Sequence, residues 1–155
     1  NLAQYTASQT GKIIHYWDGY CPVHEHLAAE QVMSVKRNHP EAAFMAHPEC
    51  RPEVLKLADA VLSTSGMLKF AKESNFTAFI VGTEEGILYP LGKQNPHKSF
   101  YKVSDSMVCI DMKRIGLVDV LNALKNLEPQ VTVSKEVREP AFQAVQRMLD
   151  ISYRN

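Results

Sequence analysis

"AAFMAHPECRPEVLKLADAVLSTSGMLKFAKESNFTAFIVGT", residues 42–83, sets three short apolar runs one after another: Ala42–His47, Ala60–Thr64 and Ala78–Thr83. Each is apolar almost throughout, without the strict alternation of a half-exposed strand, as expected of strands buried on both faces of a sheet. The segments between them have helical spacing. "RPEVLKLAD" (51–59) opens on a proline suited to a first helical turn and carries Val54, Leu55 and Ala58 as a short apolar stripe. "GMLKFAKESN" (66–75) repeats the pattern more briefly. Strand, turn and helix in succession are the pattern of a parallel sheet covered by helices, so the fold class is α/β.

The pattern extends in both directions. Toward the N-terminus, "KIIHYWD" (12–18) is expected as a further strand, preceded by a helix in "NLAQYTASQTGK" that stops at Gly11. The helix expected in "VHEHLAAEQVMSVKRNHP" (23–40) places Leu27, Val32 and Val35 near one face and ends on a basic turn before Pro40. Toward the C-terminus, "YPLGKQNPHKSF" (89–100) is rich in Pro, Gly, Asn and Lys and reads as a loop before a strand near 100–103. An amphipathic helix in "GLVDVLNALKNL", a strand in "VTVS" (131–134) and a last helix over 135–151 complete the reading. A border in 71–77 divides the chain into α/β units 1–75 and 76–155, with no flexible linker between them.

Composition narrows the partners. A chain of 155 residues that is 45% hydrophobic can build a core without staples. Seventeen basic residues balance seventeen acidic ones and form no basic run, which argues against nucleic acid or a membrane as partner. No stretch approaches the roughly 18 apolar residues of a membrane span, and the N-terminus lacks signal-peptide order, so a cytoplasmic location is expected. Three widely spaced cysteines, Cys21, Cys50 and Cys109, argue against a disulfide framework and for free or metal-bound thiols. The chain opens on Asn1 inside an apparent helix and reads as a segment of something longer.

The unusual residues fall at the carboxyl ends of the expected strands: "GYCPVH", "HPEC", "STSG" and "GTEEG". In open parallel sheets that edge is where ligands bind, beside helix N-termini that favour anions. Cys21 reads either as a ligand or as a small buried thiol, and Cys50 more readily as a buried thiol. Ser63, Thr64 and Ser65 suit helix caps as well as an anion site. His47 and Glu49, held apart by Pro48, suit proton transfer or carboxylate recognition as well as a solvated loop. Glu84 and Glu85 read as first-turn acids favoured by the helix dipole. The spacings Cys21–His24 and His47–Cys50 formally allow a zinc site, though without a tight knuckle. Cys109, in "SMVCIDMK", stands apart after a later strand, and thiolates from separate loops can hold a cluster when the fold sets their geometry.

Taken in order, "GYCPVH", "HPEC", "ADAVLSTSG", "VGTEEG", "NPHKSFY" and "CIDMK" resemble the quinolinate synthase family over nearly the whole chain. The resemblance implies repeated three-layer α/β units about a pseudo-threefold axis, with this chain supplying the second and much of the third. It implies a 4Fe-4S cluster held by three cysteines with one open iron. Cys21 and Cys109 match two of those ligands, Cys50 does not, and the third belongs to a region before this chain. The implied reaction joins iminoaspartate to dihydroxyacetone phosphate to make quinolinate for NAD biosynthesis, with L-aspartate oxidase as supplier of iminoaspartate. His47 and Glu49 would contact substrate, with Glu49 the acid/base group. Thr64 would cap a helix that receives a substrate carboxylate, and His24 would sit beside the cluster. This segment alone is expected to be inactive. The competing readings are a non-catalytic zinc-binding domain using Cys21, His24 and Cys50, and a phosphate-binding α/β module.

Overall fold

The computed structural model describes residues 1–152 and separates into two compact units, one over Asn1–Asp111 and one beginning at Met112. The first is built on a four-stranded parallel sheet. Its strands are β1 (Ala43–Ala46), β2 (Ala60–Val61), β3 (Ala78–Gly82) and β4 (Ser99–Lys102), in the order β2-β1-β3-β4. β1 pairs with β3 from Ala43 opposite Phe79 to Ala46 opposite Gly82, so the two central strands end level with one another. The sheet joins strands from both sides of residue 75.

Around it lie α1 (Leu2–Thr10), α2 (Pro22–Glu25), α3 (Ala29–Asn38), α4 (Pro52–Leu55), α5 (Thr64–Glu73) and α6 (Leu88–Gln94). The period-2 alternation of β1 and β3 divides the core between the two faces. Phe44, Ala46 and Ile80 pack with Leu27, Val32 and Val54 on one side. Ala43, Met45, Phe79 and Val81 pack with Met67, Ala71 and Leu91 on the other. The result is three layers, with α2 to α4 supplying one face and α5 and α6 the other. The Asp59 carboxylate accepts from the Phe44 amide at 2.7 Å and from Lys36 Nζ at 3.0 Å, which pins the start of β1 to the turn before β2.

Four local expectations are corrected. Residues 12–18 form no strand: no described strand pairs with them, and Ile13 and Trp17 are 89% and 91% exposed. A strand persists only where a neighbour takes its backbone polar groups, and local apolarity cannot supply one. The helix expected over 23–40 breaks after α2, because Leu27 turns into the core and Gln31 Oε1 accepts from the Ala28 amide at 3.0 Å to start α3 afresh. The loop read over 89–100 contains α6, in which burial of Leu91 outweighs Pro90 and Gly92. Pro90 falls in the first turn, where a missing N–H costs nothing. "VTVS" carries no strand, and its Val131 is exposed.

Other expectations hold. α1 ends at Gly11, whose left-handed φ of 66° returns its N–H to the Ala7 carbonyl. The second unit consists of α7 (Leu117–Asn126) and α8 (Lys135–Ser152), both close to their expected bounds. Among the described residues no helix is long and apolar enough to cross a membrane.

Candidate active site

Strand order creates the site. From β1 the chain runs outward to β2, while from β3 it runs the other way to β4. The two connections diverge at the carboxyl ends of adjacent strands, which leaves a crevice at this switch point. The first residue beyond β1 is His47 and the first beyond β3 is Thr83.

The loop after β1 is fixed by β3. The Gly82 carbonyl accepts from the His47 amide at 3.1 Å and from the Cys50 thiol at 3.6 Å, while the Cys50 amide returns to the His47 carbonyl at 2.9 Å. This tight turn leaves Glu49 at its tip. The Glu49 amide donates to His47 Nδ1 at 3.4 Å, so a neutral His47 carries its proton on Nε2. Gly82 is required here by packing: a Cβ would meet Phe44 ring atoms at 2.7 and 2.9 Å and the Met45 carbonyl at 3.2 Å.

Cys21 is the extended residue that precedes α2, Pro22 starts the turn, and His24 is carried inward to 6% exposure. Its Nε2 lies 2.9 Å from Thr83 Oγ1. Its Nδ1 lies 3.1 Å from Glu49 Oε2 but without hydrogen-bond alignment, which leaves a buried ring nitrogen unsatisfied. The His24 ring stacks on His47 with centroids 4.7 Å apart. Burial lowers the pKa of both imidazoles below 6.5; the neighbouring His47 lowers His24 further, and Glu49 opposes the shift in each. The crevice therefore holds two stacked, neutral imidazoles against one carboxyl group near pH 7.

Cys21 Sγ, His24 and the Glu49 carboxyl place one ligand atom each within 4.8 Å of one another, a mixed sulfur, nitrogen and oxygen set suited to a transition-metal ion. Cys50 is not part of it, which corrects the zinc set drawn from sequence. It is 1% exposed, and burial is the main cause that pushes its thiol up to about 12. A neutral thiol donating into the sheet is a core residue. A cleft of about 760 Å³ adjoins the set and is lined by Tyr16, Trp17, Tyr20, Cys21, Glu25 and Glu49.

Cys109 is brought to the same edge by Glu84, whose carboxylate accepts from the Cys109 amide at 3.3 Å and from the Gly86 amide at 2.7 Å. The Glu85 amide donates to the Met107 carbonyl at 2.8 Å. Glu84 therefore does more than answer a helix dipole: it ties the cysteine segment to the end of β3. Both Cys21 and Cys109 are half-buried. Thr64 is the exposed first residue of α5, and the cap itself is Ser63, whose hydroxyl accepts from Gly66 at 3.2 Å. Thr83 lies at the end of the apolar run 78–83 and within "GTEEG", but nothing in the sequence pairs it with His24.

A family model described as "NadA: Quinolinate synthetase A protein" matches residues 1–150. A quinolinate synthase of Desulforudis audaxviator is 50% identical over 149 residues, covering 96% of this chain and 49% of that protein. That of Geotalea uraniireducens is 49% identical over 151 residues, 97% of this chain and 50% of its own length. Quinolinate synthase 2 of Methanosarcina acetivorans is 46% identical over 152 residues, again 49% of its length. The chain spans about half the length of the curated relatives it matches.

Proposed function

The chain belongs to the quinolinate synthetase A family, and from that premise we propose that the intact protein is a quinolinate synthase of NAD biosynthesis. Its substrates on this reading are iminoaspartate and dihydroxyacetone phosphate, with L-aspartate oxidase supplying the first and no nucleic acid or membrane involved. The observation that carries the proposal is the convergence of Cys21, His24 and Glu49 at the β1/β3 switch point.

A 4Fe-4S cluster suits the residues present. Cys21 and Cys109 are half-buried thiols at the carboxyl edge, Cys50 is withdrawn into the core, and the third thiolate would come from outside this chain. When bound, the cluster would supply an open iron that polarises a substrate oxygen. Thiolate ligation of this kind suits a reducing compartment such as the cytoplasm.

The remaining roles fall to the chain itself. Glu49, at the tip of its turn and a third exposed, exchanges protons with substrate carbon and oxygen atoms. His47, with Nδ1 engaged by the Glu49 amide, presents Nε2–H as a neutral donor to a substrate oxygen. The exposed Thr64 hydroxyl and the first amides of α5 receive a carboxylate. The stacked imidazoles of His24 and His47 both lie against the Glu49 carboxyl group, with Nδ1 atoms 3.1 and 3.5 Å from Oε2.

The intact protein purified without oxygen tests this directly. Iron, sulfide, a broad visible thiolate-to-iron band and quinolinate formation are expected together. Stoichiometric zinc without sulfide would favour a second reading, a single metal ion on Cys21, His24 and Glu49, for which the same 4.8 Å cluster of ligand atoms speaks. Protein without any metal and without quinolinate formation would favour a phosphate-binding module.

A further inference from the structure

The hydroxyl at the end of β3 has a task that follows from its partner. Thr83 and His24 are 59 residues apart in sequence, each 6% exposed, and joined by a 2.9 Å contact between Oγ1 and Nε2. On the far side of the same ring, Nδ1 faces Glu49 Oε2 at 3.1 Å. A carboxylate oxygen this close disfavours a lone pair facing it even without hydrogen-bond alignment, so the proton of a neutral His24 belongs on Nδ1. Nε2 is then a bare lone pair, which among the described residues is satisfied by donation from the Thr83 hydroxyl. Rotating the ring by half a turn would set carbon against both partners. Stacking on His47 restricts the plane, but by itself selects neither face nor tautomer.

We infer that Thr83 is a positioning residue: its hydroxyl donates to His24 Nε2 and so holds the His24 Nδ1–H toward Glu49. The inference deepens the catalytic role proposed for Glu49 and rests on that reading for its kinetic consequence, while the tautomer is a property of the fold alone. Thr83 is itself buried against His24. It acts through His24, which orients the carboxyl group, as outer partners orient reacting groups elsewhere. Thr83→Val keeps shape and volume but removes the donor, leaving a buried acceptor unpaired.

Two measurements on the intact protein decide it. In the cluster-free wild type labelled with ¹⁵N-histidine, His24 is expected to show a protonated Nδ1 and a bare Nε2 shifted by an accepted hydrogen bond, and Thr83→Val to lose that shift on Nε2. In the loaded enzyme, Thr83→Val should lower kcat by roughly 10–100-fold with KM, iron content and visible spectrum unchanged, and Thr83→Ser should restore both the nitrogen pattern and kcat. A wild-type proton on Nε2, or a Thr83→Val protein with the wild-type pattern, overturns the inference. So does a Thr83→Ser that behaves like Thr83→Val, since the hydroxyl would then be irrelevant. A wild type that makes no quinolinate counts against the functional reading instead, and the nitrogen pattern still decides the role of Thr83.

Discussion

Cys50 offers the sharpest quantitative test of which thiols belong to the site. Its pKa is pushed from an ordinary 9.0 up to about 12, burial being the main cause. Well below both values the thiolate fraction falls tenfold per pH unit, so Cys50 holds about a thousandth of the reactive form of an ordinary thiol. A more basic thiolate is intrinsically a better nucleophile, which returns about 15- to 30-fold and leaves charge alone slowing Cys50 by about 30- to 60-fold. Exclusion of reagent from a residue 1% exposed slows it further. The assay is alkylation of the intact, cluster-free protein by iodoacetamide at pH 8, followed peptide by peptide with mass spectrometry. Half-buried Cys21 and Cys109 should react first and Cys50 last, with the difference abolished in denaturant. Loading with iron and sulfide should then protect Cys21 and Cys109, because ligated thiolates are no longer nucleophiles. If native Cys50 reacted within about threefold of the other two, the reasoning from burial to a neutral core thiol would fail.

Other perturbations separate chemistry, metal and fold. Glu49→Gln in the intact enzyme should keep iron and visible spectrum while turnover drops by ~10²–10⁴-fold, and loss of iron instead would recast Glu49 as a support of the loop. Cys21→Ser and Cys109→Ser should each lose iron and activity together; normal iron in either variant removes that residue from the ligand set. Gly82→Ala should cost about 1–3 kcal/mol of stability by urea titration, because the Phe44 ring and the Met45 carbonyl leave no room for a methyl, and an unchanged midpoint would contradict that packing. Both His24 and His47 are held below 6.5, so just under that pH the unfolded chain binds more protons than the folded one. Stability of the cluster-free protein should therefore fall as pH drops below 6.5 and level off beneath the lowered folded values, and a His24→Gln, His47→Gln double variant should show a smaller loss.

What the sequence determined by itself is local and apolar. β1 and β3 were legible because strands buried on both faces must be apolar throughout, and α5, α7 and α8 because their spacing repeats over several turns. The pairing of His47 with Glu49 was legible because three consecutive residues after a strand share one turn. The withdrawal of Cys50 was legible as a tendency of small thiols toward cores. Tertiary structure alone decided the rest. Residues 12–18 have the composition of a strand, but pairing requires a neighbour that composition does not name. α6 forms across Pro90 and Gly92 because the sheet buries Leu91, a gain invisible to local propensity. The hold of Glu84 on Cys109, and of Thr83 on His24, spans 25 and 59 residues. Both contacts are made by residues just beyond β3, which the order β2-β1-β3-β4 sets between β1 and β4. That order comes from how the helices close over both faces of the sheet, a sum over the whole core that no short stretch of residues carries.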